Sequence, residues 1–249
     1  PITRTAIRMA FRTRHFKFFF SGAFIPAIVY LVGIYVSERL DDFRFMIKGS
    51  EKFLVINPGY FKSYLTGDFL IFMMVLLMVF SGAGLIADDL KFNALQLYFA
   101  RPLKKKDYLL GKAAVVGFFV LLLTLIPAVL FIIFKLIFSG NFEFLTSYPW
   151  LPASIAGYSL LITAFFACYT LLLSALSKNR RYVAIMIFAV YFFSDIIFGI
   201  FNGIFNNPYF SLLSLKANIQ QIGAVFFGQK PLFDVPWPLS LAVLVAVCV

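Results

Sequence analysis

"LLGKAAVVGFFVLLLTLIPAVLFIIFKLIF", residues 109–138, decides the fold class. Between Lys112 and Lys135 it carries no charge, and about 20 apolar residues are enough for a helix to cross about 30 Å of hydrocarbon. The whole chain agrees with this stretch. Its 249 residues are 62% hydrophobic and 19% aromatic, with only 13% charged, too apolar for a water-soluble core. The reading is an all-α integral membrane protein.

Four further apolar runs are long enough to span, at about residues 18–36, 69–87, 152–176 and 183–205. "PLSLAVLVAVCV", 238–249, reaches only about 18 Å at 1.5 Å per residue and reads as a sixth helix cut short. With Pro1 where an initiator Met would stand, both ends read as trimmed. Six transmembrane helices are therefore expected, in a single transmembrane domain over 1–249.

Charge gives the orientation. Lys+Arg 22 against Asp+Glu 11 leaves +11, a balance that in a soluble chain points to nucleic acid. Here the basic residues cluster beside the spans: Arg4, Arg8, Arg12, Arg14 and Lys17; Lys91, Arg101, Lys104, Lys105, Lys106 and Lys112; Lys178, Arg180 and Arg181. If the spans alternate, these three segments share one face, which the positive-inside rule makes cytoplasmic. Both termini are then cytoplasmic in a multi-pass protein of the cell's inner (plasma) membrane. Topology accounts for the charge, and no nucleic-acid partner is called for. Cys168 and Cys248 lie in apolar runs and indicate no disulfide framework.

Residues 1–17 lack the features of a cleaved signal peptide. At 100° per residue, Arg4, Arg8, Arg12 and His15 line one face and Ile2, Met9 and Phe16 the opposite one. An interfacial helix against membrane lipids is expected over 1–17; the plainer alternative is a basic tail that only sets topology.

The connection between the second and third spans, "ADDLKFNALQLYFARPLKKKDYLLGK" at 87–112, has its own organisation. Asp88 and Asp89 stand where a helix N-terminus wants acids, and Pro102 ends whatever helix precedes it. Between them Leu90, Ala94 and Leu97 point one way, and Phe92, Leu95 and Phe99 nearly the other. A short helix apolar on two sides needs two partners: the protein's own spans, and a cleft on a separate subunit.

Asp89, Asn93 to Tyr98, Arg101, Pro102, Tyr108, Leu109, Gly111 and Lys112 together resemble the coupling region of the permease subunits of type 2 ABC transporters. That family shows an acidic start, a stretch similar to Gly-Thr-Leu-Glu-Leu-Leu, then Arg-Pro, basic residues, Tyr-Leu and Gly-Lys. Asn93 and Ala94 depart from it where Gly and Thr are usual; with the position placed inside a helix, this reads as divergence. The resemblance implies a homodimer, or a pair with a close relative, working as an exporter with two copies of a cytoplasmic ABC ATPase. The sequence has no G-x-x-x-x-G-K-[ST] phosphate cradle, so this chain is read as binding no cofactor and as no enzyme, with ATP and Mg in the partner ATPase. Residues 88–101 are then the coupling helix: Asp88 and Asp89 start it, Phe92, Leu95 and Phe99 dock on the ATPase, and Arg101 and Pro102 shape its end. Lys104, Lys105 and Lys106 read equally well as a rim contact or as a topology signal.

Within the spans, Asp195 is the costly residue, at about 2.5–3.5 kcal/mol for an acid at mid-helix. Tyr191, Asp195, Gly199, Asn202 and Asn206 form a polar and small stripe expected to face protein, either as a pathway or dimer-interface stripe or as interhelical glue. Lys135 is expected to snorkel to the outer interface. Met73, Met74 and Met78 could suggest a soft-metal path, but no His or Cys joins them, so no metal site is assigned. Residues 206–237 are expected to form one or two short external helices folded back on the membrane surface, with Trp150 and Trp237 as interfacial anchors. Two rival functions are a non-transporting membrane anchor or mechanical transmitter for an ATPase in an envelope assembly, and an intramembrane enzyme or ion-coupled carrier built on Asp195.

Overall fold

The computed structural model describes residues 2–39, 55–94, 96 and 104–248. Every regular element among them is helical: α1 (Ile2–Ala10), α2 (Arg14–Gly22), α3 (Ile25–Glu38), α4 (Pro58–Leu65), α5 (Asp68–Ser81), α6 (Gly84–Lys91), α7 (Lys105–Ser139), α8 (Glu143–Ser147), α9 (Leu151–Ala175), α10 (Arg180–Phe205), a 3₁₀ turn (Pro208–Leu213), α11 (Leu215–Phe226) and α12 (Trp237–Ala246). Among the described residues, five stretches are long and apolar enough to cross a membrane: 14–38, 58–91, 105–139, 151–175 and 180–205. α12 is shorter than a span, so five crossings are visible where six are expected.

The long helices α7 and α9 lie side by side at the centre. Small residues let them approach: a methyl at Gly117 would sit 3.2 Å from the Thr163 methyl. α1 and α3 pack on α7, α6 on α9, and α5 carries both α2 and α10. The first and fifth spans are peripheral, with 17% of their most apolar window buried against 50% or 56% for the others. Met74 and Met78 are in the core beside Leu70, Ile71 and Val75, so these methionines fill space between helices.

The N-terminal segment is not one helix. α1 ends at Ala10, and Phe11 to Thr13 form a turn before α2. Met9 is 56% exposed while Phe16 is fully buried, so the apolar face expected across 1–17 is split. Aromatic packing drives the break: Phe16 meets the rings of Phe11 and Phe119 at 5.4 and 4.9 Å, which turns α2 into the bundle. α1 is fastened separately, by the Thr3 hydroxyl donating to the Gly111 carbonyl at 2.9 Å.

Proline placement shows how the bundle meets the demands of hydrocarbon. Pro127 lies inside α7 and has no N–H, so the Leu123 carbonyl four residues back loses its helical donor. The buried Tyr64 hydroxyl donates to it at 2.7 Å. α4 is thereby fixed against the middle of the third span. Lys135 is not a free snorkelling lysine either: it pairs with Glu38 at the end of α3, and both side chains are about one-sixth exposed.

Removing the Tyr64 hydroxyl (Tyr64→Phe) should destabilise the protein by about 1–3 kcal/mol, the cost of an unmet buried carbonyl. In a Pro127→Ala background, where the amide donor is restored, the same change should cost clearly less. Thermal unfolding of the four proteins in lipid nanodiscs reads the coupling; additive effects would show that the two residues do not share that carbonyl.

Candidate functional site

α6 ends at Lys91, with Phe92 capping it 71% exposed and Asn93 at φ +52°. Asp88 and Asp89 therefore stand in the last turn of a helix continuing the second span, not at the start of a new one. The expected first turn of 88–101 is corrected accordingly. Asn93, expected inside a helix, is the left-handed residue just past its end. Glycine is favoured there and asparagine is the usual substitute, so this departure from the resembled motif is a conservative exchange, while Ala94 in place of Thr is unexplained by it. The Gln96 amide donates to the Asn93 carbonyl at 3.2 Å, so the chain turns again at once. Leu95, Phe99, Arg101 and Pro102 lie outside the described residues.

What holds this connection is a buried clamp. The Asp89 carboxylate receives the Lys112 ammonium at 2.7 Å and the Tyr108 hydroxyl at 2.6 Å, with the two charged side chains 8% and 14% exposed. Lys112 also lies over the Tyr108 ring at 5.4 Å. The motif's acid, tyrosine and lysine, 19 and 23 positions apart in sequence, thus meet across α6 and α7 and tie together the two ends of the connection. A buried pair of this kind is costly to break from one side, at about 3–5 kcal/mol.

At the other end of the bundle, Asp195 is met by the start of α11. Ser214 caps α11, accepting from the Ala217 amide at 3.1 Å, and donates to Asp195 at 2.9 Å. Lys216 reaches the other carboxylate oxygen at 2.9 Å. Gln220, one turn further, donates to Asp68 at 2.7 Å and to the Thr66 carbonyl at 3.0 Å. These bonds draw α11 against the helical body, where Leu215, Ile219 and Ile222 are buried. The sequence signal for Lys216 was present: an acid inside a span demands a cation, and 206–237 offers only Lys216 and Lys230.

The stripe expected to face protein does so only in part. Tyr191 is buried and Asp195 two-thirds covered, but Gly199 and Asn206 are exposed. α11 meets the stripe at Asp195, and the 3₁₀ turn packs Phe210 on the neighbouring Phe201 and Phe205 rings at 5.3 and 5.5 Å. A methyl added at Gly199 or Gly203 would meet no other described part of the chain within 4 Å. Toward the other end of the same helix, Val79, Ala184, Ile185, Phe188, Ala189, Phe192 and Phe193 line a wholly apolar hollow of about 470 Å³. Among the described residues no group of three or more His, Cys, Asp or Glu is placed to hold a metal.

Five long apolar helices, paired buried charges and a clamped connection between the second and third define a helical membrane protein. The chain matches the ABC-2 family transporter protein over residues 12–195, most of its length, and belongs to that family. It is thus the membrane component of an ABC transporter. Permeases of this family span the membrane several times, have no nucleotide-binding domain of their own and generally pair with ATPase subunits. No curated protein matches the chain.

Asp195→Leu alone should destabilise the protein by about 1–3 kcal/mol, because it leaves the Lys216 ammonium, 25% exposed, with only the longer 3.9 Å contact to Asp68 and strips the Ser214 hydroxyl of its acceptor. Adding Lys216→Met should recover most of that loss. Thermal unfolding in nanodiscs decides; a double variant no more stable than Asp195→Leu would mean that Asp195 serves something other than holding α11.

Proposed function

We propose that this chain is the membrane-spanning permease of an ABC exporter, working as two copies with two cytoplasmic ATPase subunits. The observation that carries the reading is the Asp89–Tyr108–Lys112 clamp in an ABC-2 family chain. It ties the end of α6 to the start of α7, so a force applied to the connection between them is passed to both spans together. Phe92 stands exposed at the base of that loop, and Leu95, Phe99, Arg101 and Pro102 come after it in sequence. ATP-driven approach of the two ATPases would pull on these residues.

The pathway lies between the copies. A single chain leaves α10 with a long uncovered apolar face, the Gly199 to Asn206 end of its stripe and the apolar hollow. Gly199 and Gly203 form a small-xxx-small pair of the kind that brings membrane helices into close contact. Two α10 helices meeting there would line the path with Asn202 and Asn206, while Asp195, held by Ser214 and Lys216, anchors α11 across one mouth. The substrate then meets an apolar wall rich in phenylalanine. In the native orientation Lys91, Lys105, Lys106 and Arg180 face the cytoplasm with both termini.

Phe92→Asp and Phe99→Asp should each abolish co-purification of the ATPase and ATP-driven transport in proteoliposomes, while the permease itself still folds and inserts. Retention of both activities in Phe99→Asp would overturn the docking assignment. ATPase binding without any ATP-dependent substrate movement in the unsubstituted complex would favour a mechanical transmitter instead.

A further inference from the structure

The second span is broken close to its junction with the coupling connection, and the break is supplied with partners from elsewhere in the fold. α5 ends at Ser81 and α6 begins at Gly84. A break there frees the carbonyls that end one helix and the amides that begin the next. Water would satisfy them at a surface, but hydrocarbon cannot. The Phe80 carbonyl is taken by the Arg180 guanidinium at 2.7 Å. The Ile86 and Ala87 amides are taken by one oxygen, the Ser174 hydroxyl, at 2.9 and 3.1 Å. That hydroxyl donates in turn to the Ala83 carbonyl at 3.0 Å. Ser174 is fully buried, so α6 receives its N-cap from a different helix.

The glycines at the break fit this reading. A methyl at Gly82 would collide with the Thr170 methyl on α9, and one at Gly84 would collide with the Asp88 carboxylate and press on Arg180 Cδ at 3.1 Å. Both positions are kept bare so that α9 and the Arg180 stem can come close. Ser174 and Arg180 flank the turn from α9 to α10, which carries Lys178. One end of the two-turn α6 is therefore held by the α9–α10 turn, and the other by the Asp89 clamp to α7.

We infer that Ser174 and Arg180 are positioning residues that fix the angle of α6 at the Gly82–Ala83 break and so set where the coupling connection stands. The inference rests on the proposed coupling role of the connection after α6, but the restraint on α6 is separable from it. α6 swings as a rod about the break. Ser174 is its pivot contact and Arg180 links the pivot to the α9–α10 turn, so motion of the connection is felt by the fourth and fifth spans as well as by the third.

The test uses the permease with its co-purified ATPase in nanodiscs, with Cys168 and Cys248 replaced by serine and spin labels at Lys91 and Leu160, an exposed site on α9. The distance distribution between the labels should be narrow in the parent. It should broaden about twofold or more in Ser174→Ala and stay narrow in Ser174→Thr, which keeps the hydroxyl. An equally narrow distribution in Ser174→Ala overturns the inference. If Ser174→Ala does not yield monodisperse protein, Arg180→Gln, a change to an exposed side chain, is read in the same way: broadening supports the pivot and an unchanged width overturns it. Adding ATP with vanadate tests the coupling role separately. A shift in the parent that is lost in Ser174→Ala while ATP hydrolysis continues supports both. Broadening in Ser174→Ala with no ATP-dependent shift in the parent leaves the pivot standing and removes the coupling role.

Discussion

Hydrocarbon offers no hydrogen bonds, and the arrangement of this chain is governed by that constraint. Wherever a helix breaks or a charge enters the bundle, another helix must supply the partner. Pro127 strips a donor from α7 and Tyr64 of α4 replaces it. Gly82 and Ala83 break the second span, and Ser174 and Arg180 fill the gap. Asp195 is answered by Ser214 and Lys216, Lys135 by Glu38, and Lys112 by Asp89. Each of these contacts joins different helices, several of them 59 to 100 positions apart in sequence, so the polar groups help determine which helices are neighbours. The apolar residues, which lipid solvates as well as protein does, leave that choice open.

The same contacts divide the molecule mechanically. The centre, α7 with α9, is closely packed and made of unbroken helices. The second span is three shorter helices, and its last piece is gripped at both ends by side chains rather than by continuous backbone. In the proposed working cycle that piece is what the ATPase moves. The fifth span, largely uncovered by its own chain, is where a second copy would complete the structure. A helix break that is clamped, instead of being loose, holds its last piece at a defined angle. A defined angle lets a push on that piece reach its neighbours.

The spans were legible in the sequence because a long uncharged apolar run has few other uses, and the match between the expected limits 183–205 and α10 shows how far composition alone carries. Helix breaks within the apolar runs were not legible. Gly82 and Gly84 read as ordinary small residues in a span, and the groups that satisfy the break lie about 90 to 100 positions away. The motif 87–112 singled out Asp89, Tyr108 and Lys112, which the structure brings together, while misplacing Asp88 and Asp89 at the start of a helix. Asp89 and Lys112 were recognised as motif positions, but their pairing depends on the third span packing beside the end of the second. Asn93 looked like a departure until its positive φ showed why that position favours glycine. Lys216 was missed because the segment around it was read as surface, although Asp195 had already demanded a cation.

Coupling requires above all that the connection after α6 lie on the same side of the membrane as an ATP-hydrolysing partner. A membrane-impermeant thiol reagent tests this directly. In a chain with Cys168 and Cys248 replaced by serine, Phe92→Cys and Phe142→Cys place single thiols at sites 71% and 72% exposed in the bundle, at opposite ends of the third span. The expected result is that Phe92→Cys is labelled in inverted vesicles and protected in right-side-out ones, with the reverse pattern for Phe142→Cys. Labelling of Phe92→Cys from the outside would contradict the coupling role, since the clamp and everything it holds would then be out of reach of a cytoplasmic ATPase.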